Sequence, residues 1–86
     1  MMNDAEILSK MREIFSRNFG IAPERVLPES RLFEELGLDS LDAVDLVIEL
    51  QELTGKRIKP EVFKTVRTVD DVVKVVRDIQ SSSEAA

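Results

Sequence analysis

The stretch from residue 40 to 53 leaves this chain few ways to fold. Its polar side chains are Asp42, Asp45, Glu49, Gln51 and Glu52, whereas Leu41, Ala43, Val44, Leu46, Val47, Ile48, Leu50 and Leu53 are apolar. On a helix, the acids at 42, 45, 49 and 52, spaced 3, 4 and 3, fall on one narrow stripe, and most of the remaining circumference is apolar. Such a helix must be mostly covered. One core face cannot use every apolar position, so some residues meet the core while Leu41, Val44 and Ile48 remain available to a partner. Asp39 or Ser40 suits the N-cap, and Gly55 lies just beyond the end.

Two further segments share the helical period. Ile7, Leu8, Met11, Ile14 and Phe15 predict a helix over about 4–18, capped by Asn3 or Asp4 and stopped at Gly20, with Phe19 and Ile21 sealing its end. Val69, Val72, Val73, Val76 and Ile79 predict a last helix starting at Thr68, where Thr68 and Asp71 form an approximate capping box. So many valines would also suit a strand, but their spacing is helical. Pro60 favours a short helical turn at 60–65, with Phe63 and Val66 facing inward. Between the first two helices, Pro23 and Pro28 forbid a continuous helix over 20–38, where Leu32, Phe33 and Leu36 could pack as one short turn before Gly37. Loops this long in small domains are often functional. The expected fold is all-α: a small antiparallel four-helix bundle of three main helices and one short one, with a long first loop. Its expected core comprises Ile7, Met11, Ile14, Phe15, Leu46, Leu50, Phe63, Val72 and Val76. Residues 1–80 form the domain, and 81–86 a disordered tail.

With 86 residues there is one domain and one modest core. The chain contains neither Cys nor His, so it has no thiolate, no disulfide and no imidazole base, and no metal site is expected. If this protein handles thiol chemistry, the thiol must be imported. No apolar run reaches signal-peptide or transmembrane length, which makes the cytoplasm the expected location. A net charge of −5 argues against nucleic acid. The charge is unevenly spread: residues 29–52 hold eight acids against Arg31, and residues 55–68 hold Lys56, Arg57, Lys59, Lys64 and Arg67 against Glu61. The acidic block is either a solvated face or a match for a basic partner surface.

The sequence Gly37-Leu38-Asp39-Ser40-Leu41 opens the central helix. Its plainest reading is a loop glycine followed by a helix cap. A nucleophilic serine needs a positioned base, and without His, with no Lys near in sequence, a self-contained serine hydrolase is improbable. A helix N-terminus does tolerate an attached phosphodiester, although Asp39 opposes it. Ser40 is better placed to be modified by another enzyme than to catalyse.

From Ile7 to about Ile79 the sequence resembles the acyl carrier protein family. The resemblance is most specific in Leu36-Gly37-Leu38-Asp39-Ser40-Leu41-Asp42, followed by Val44, Asp45, Leu46 and Val47, and again in Arg67-Thr68-Val69-Asp70-Asp71-Val72-Val73. It implies a four-helix carrier fold in which Ser40 receives 4′-phosphopantetheine from coenzyme A through a phosphopantetheinyl transferase. The thiol of that arm then holds cargo as a thioester, and the chain itself is no enzyme. The resemblance also implies that Asp39 helps the transferase recognise the site. By position, Asp42, Asp45, Glu49 and Glu52 would supply charge to basic patches on partners, and Leu41, Val44 and Ile48 would supply apolar contacts. The implied partners are the transferase, an acyl-loading enzyme, a ketosynthase and other acyl-processing enzymes; the carrier is expected to be a monomer.

Lys56-Arg57-Ile58-Lys59 departs from the housekeeping fatty-acid pattern, which is usually acidic there, and Lys64 and Arg67 extend the basic character. Either these cations balance the acidic helix locally, or they mark a dedicated carrier in a polyketide-like, aryl-polyene-like or other specialised pathway; the expected role is in fatty acid or polyketide-like biosynthesis. An unmodified helical interaction module and an aminoacyl, peptidyl or aryl carrier are the competing readings. Aliphatic cargo is expected to fold back between the helices near Ala43, Val47 and Val66, and recognition is expected to rest on Asp45 and Glu49 above other exposed pairs.

Overall fold

A computed structural model describes residues 2–81. Helix α1 spans Asp4–Phe19, α2 spans Ser40–Thr54 and α3 spans Val69–Ser81. A short 3₁₀ helix at Pro60–Lys64 takes the place expected for the minor helix, and another turn of 3₁₀ helix, Pro23–Arg25, lies inside the long first loop. Ser81 closes α3 instead of opening a tail, and the rest of the expected tail, 82–86, lies outside the described residues.

The helix ends follow local chemistry. Asn3 caps α1: its Oδ1 accepts from the Glu6 N–H at 2.8 Å, and its own N–H donates to Glu6 Oε1 at 3.0 Å. Asp39 and Asp42 repeat this reciprocal arrangement at α2. Both helices end in a left-handed glycine, Gly20 and Gly55. At α3 the Asp71 carboxylate accepts from the backbone N–H groups of Arg67 at 3.0 Å and Thr68 at 3.1 Å, while Thr68 Oγ1 accepts from the Asp71 N–H at 3.3 Å. The valine-rich segment is therefore helical, as its period and cap require.

All nine expected core residues are buried. Phe15 is fully buried and meets the half-buried Phe19 edge to face, with ring centroids 5.8 Å apart. The loop contributes more to the core than its composition suggests: Ile21, Val26, Leu32, Leu36 and Leu38 are all buried. Leu32 and Leu36 pack inward as expected, but Phe33 lies off their face and is 40% exposed. The start of α1 and the end of α3 meet through an Arg77–Asp4 ion pair at 2.9 Å, so these helices run antiparallel. The C-terminal ends of α2 and α3 lie together, where Lys56 Nζ donates to the Ile79 carbonyl at 3.1 Å. Among the described residues there is no strand, only an isolated bridge between Arg31 and Thr68.

Two predictions follow from this packing. Removing a buried Phe ring costs about 3–5 kcal/mol, a large share of the ~5–15 kcal/mol that stabilises a typical domain. Phe15→Ala should melt far below wild type or fail to fold, as circular dichroism will show. Asp71 has its carboxyl held below the usual range, first by the Arg67 backbone hydrogen bond and then by that of Thr68. Its contribution is present above the ordinary carboxylate value and is lost as pH falls through the lowered folded-state value. Chemical denaturation between neutral and acidic pH should therefore show a steeper loss of stability for wild type than for Asp71→Asn.

Candidate functional site

The chain reaches Ser40 through a rigid turn. Gly37 has φ +75°, a conformation that a side chain disfavours even though open space surrounds its Cα. On either side of it Leu36 and Leu38 are buried, their N–H groups bonded to the carbonyls of Arg31 at 3.0 Å and Leu32 at 3.1 Å. Asp39 then runs extended, with φ −121°, and Ser40 is the first residue of α2. Two buried leucines and a capping box thus fix the backbone while the Ser40 side chain faces outward.

The Ser40 hydroxyl makes no hydrogen bond with any described residue. It borders a groove of about 440 Å³, also lined by Phe33, Ala43, Val44, Val47, Phe63 and Lys64. Apart from Ser40 and Lys64 this lining is apolar. A second, larger cleft of about 650 Å³ shares Phe33, Phe63 and Lys64 and extends to Arg31, Val66, Arg67, Thr68 and Asp71. Ala43 and Val47 therefore line the groove beside Ser40, whereas Val66 lines the neighbouring cleft. The phenyl groups were not anticipated at this site. Phe33 falls one position off the Leu32–Leu36 face, which is the signal that points it outward. Lys64 comes close only through the fold, since the chain between it and Ser40 is long.

The outer face of α2 is apolar and acidic together. Leu41 is 76% exposed, Val44 44% and Ile48 46%. The four acids of the stripe are not equivalent. Asp42 is half-buried and its carboxylate accepts from the Asp39 N–H at 3.2 Å. Glu49 is half-buried and lies 3.9 Å from the Arg17 guanidinium of α1. Asp45 and Glu52 are exposed and carry no ion pair among the described residues. Counting bases along the sequence misses Arg17, because only packing of α1 against α2 brings it to Glu49. The structure shifts the free charge from the pair Asp45 and Glu49 to Asp45 and Glu52.

The basic segment divides in a similar way. Lys56 is tied to the end of α3, while Arg57, Lys59 and Lys64 form no ion pair among the described residues. Arg67 lies near Glu34, whose carboxyl is lowered first by its hydrogen bond from Arg31 and then by Coulomb attraction, with a smaller part from Arg67. Direct pairing with the acids of α2 does not account for these cations.

The described residues thus form a small helical bundle with an exposed serine at a helix start beside an apolar groove. The family profile described as "Phosphopantetheine attachment site" matches residues 9–76. An "Acyl carrier protein 2" of Ralstonia nicotianae is 62% identical over 78 residues, covering 91% of this chain and 96% of that protein. An acyl carrier protein of Thermosynechococcus vestitus is 38% identical, covering 90% and 95% respectively. The crystal structure of an acyl carrier protein from Thermotoga maritima superposes with a TM-score of 0.78 at 32% identity, over 90% of this chain and 89% of that one. The chain belongs to the acyl carrier protein family. It is a non-catalytic carrier whose prosthetic group is covalently attached 4′-phosphopantetheine, and it works with a phosphopantetheinyl transferase and acyl-processing enzymes. The residues present are compatible with such an arm: the Ser40 side chain is exposed to solvent, and an apolar groove lies beside it. No described helix is long and apolar enough to cross a membrane.

Proposed function

We propose that Ser40 is the attachment point and that this carrier presents acyl thioesters for a specialised, polyketide-like pathway in the cytoplasm. The observation that carries the assignment is the outward, unbonded Ser40 hydroxyl at the start of α2, bordering the apolar groove. When bound, the arm supplies the thiol that the chain lacks. Leu38, Asp39 and Asp42 hold the backbone at Ser40, and Ala43, Val44 and Val47 cover part of an aliphatic cargo. The specialised pathway is supported by Arg57, Lys59 and Lys64, which form no ion pair among the described residues. They give the surface a second polarity opposite to that of α2 and so suit a partner set beyond basic docking patches.

Asp39 is read as a transferase contact, yet it also caps α2. Its replacement by Ala would lose about 0.5–2 kcal/mol of helix stability and would mix folding with recognition. Ser40 is cleaner. Incubated with coenzyme A and a broad-specificity transferase, wild type should gain the mass of one arm, and Ser40→Ala should gain none while keeping its helical circular dichroism. An arm on the Ala variant would refute the assignment. An unmodified wild type would favour an interaction module in which Ser40 is only part of a cap.

Docking should depend on Leu41, Val44 and Ile48 for contact area and on Asp45 and Glu52 for encounter, with Asp42 and Glu49 partly committed within the fold. Interfacial charges act chiefly on association rate. Asp45→Lys/Glu52→Lys should therefore slow modification by the transferase at low salt with little change in melting temperature. The gap should narrow at high salt, where the screening length drops to about 3 Å near 1 M. Equal rates at both ionic strengths would leave recognition to the apolar positions.

A further inference from the structure

Among the described residues, Lys64 is the only charged one bordering the Ser40 groove. It closes the 3₁₀ helix Pro60–Lys64, is exposed, and has no ion pair or hydrogen bond with any described residue. It also borders the neighbouring cleft, together with Phe33 and Phe63, so it stands where the two cavities join. The anions nearest Ser40 in the chain are Asp39 and Asp42, and each carboxylate already accepts from the other's backbone N–H. Neither has a cation partner among the described residues. A phosphodiester on the Ser40 oxygen would add a third negative charge at this point, and Lys64 is the one side chain in the groove that can oppose it.

We infer, on the reading that the arm is attached to Ser40, that Lys64 is the counter-charge of the arm's phosphodiester and lays its first section across Phe33 and Phe63. The ammonium is a compact charge on a flexible stem with three donors, so it can follow a phosphate that has some freedom. The contact is solvent-exposed and therefore modest and salt-dependent. It orients the arm toward the cleft at Arg67 and leaves the far end, with its thiol, free. Lys64 is thus a positioning residue, and it takes no part in any bond-making step.

The experiment uses an arm labelled with ¹⁵N at its two amides, loaded onto wild type, Lys64→Gln, Lys64→Arg and Lys59→Gln. Lys59 is exposed, borders neither cavity and removes the same charge. Intact mass first establishes that one arm is attached. A wild type that gains no mass overturns the Ser40 reading, and the inference with it. With the arm in place, NMR relaxation of the amide nearer the phosphate and the ³¹P chemical shift report directly on Lys64. In wild type the order parameter should lie above the flexible range of about 0.6, and in Lys64→Gln it should drop below that value. Lys64→Arg should recover most of the loss, and Lys59→Gln should match wild type. At about 1 M salt wild type should approach Lys64→Gln. The inference is overturned if the arm is equally mobile in wild type and Lys64→Gln, if Lys59→Gln loosens it as much, or if Lys64→Arg does not restore it.

Discussion

The long loop is tied to the first turn of α3, and the placement of Ser40 depends on that junction. The Val69 N–H donates to the Ser30 carbonyl and the Asp70 N–H to the Pro28 carbonyl, both at 2.9 Å, while the Leu32 N–H donates to the Arg67 carbonyl at the same distance. The first N–H groups of a helix have no partner within it, so α3 takes its missing acceptors from the loop. Ser30 is the one buried polar residue among those described. Its Oγ donates to the Arg25 carbonyl at 2.7 Å and accepts from the Leu27 N–H at 3.1 Å, which closes the loop on itself before it meets α3.

Those hydrogen bonds set register more than stability. Each is worth about 0.5–1.5 kcal/mol net, whereas ordering one backbone residue costs about 1–2 kcal/mol. Burial of Val26, Leu32, Leu36 and Leu38, at roughly 1.5–3 kcal/mol each, is what holds the loop down. The division explains why a loop of this length stays ordered up to Ser40. Apolar anchors supply the free energy, and the bridge at Arg31 and Thr68 fixes which residues face the groove. Phe33 is thereby directed out beside Ser40, while Leu32 and Leu36, its neighbours in the same turn, enter the core.

Much of this was legible in the sequence because it rests on short-range rules. The period of Ile7, Met11, Ile14 and Phe15 marks one buried face. Asp39 or Ser40 marks a helix start, and the structure assigns the cap to Asp39; the surplus apolar positions of α2 are Leu41, Val44 and Ile48, all of which are exposed. What escaped are relations between distant segments. Arg17 reaches Glu49, Lys64 reaches the Ser40 groove, and Pro28 and Ser30 cap a helix that begins far downstream. No spacing rule connects such residues, because the connection is made by the packing of α1 and α3 around α2.

The same helix therefore meets two opposed demands. Leu46, Val47 and Leu50 anchor α2 in the core, and Leu41, Val44 and Ile48 stay uncovered at some cost to solubility. The acids of the stripe offset that cost, since a charged rim discourages the exposed apolar strip from associating with other copies of the chain. Asp42 completes the capping box at the start of the helix and Glu49 lies 3.9 Å from Arg17, so Asp45 and Glu52 are the acids of the stripe with neither a side-chain hydrogen bond nor an ion pair among the described residues. Ser40 stands at the start of the strip and not in its middle. On the proposal that the arm is attached at Ser40, it would leave from the end of the strip, with Val44 shared between the groove and the exposed face. A flexible tether there would keep the cargo at high local concentration for an enzyme docked on that face. On the same proposal, the turn through Gly37 and the buried Leu38 would hold the tether's origin at a set offset from Leu41, Val44 and Ile48.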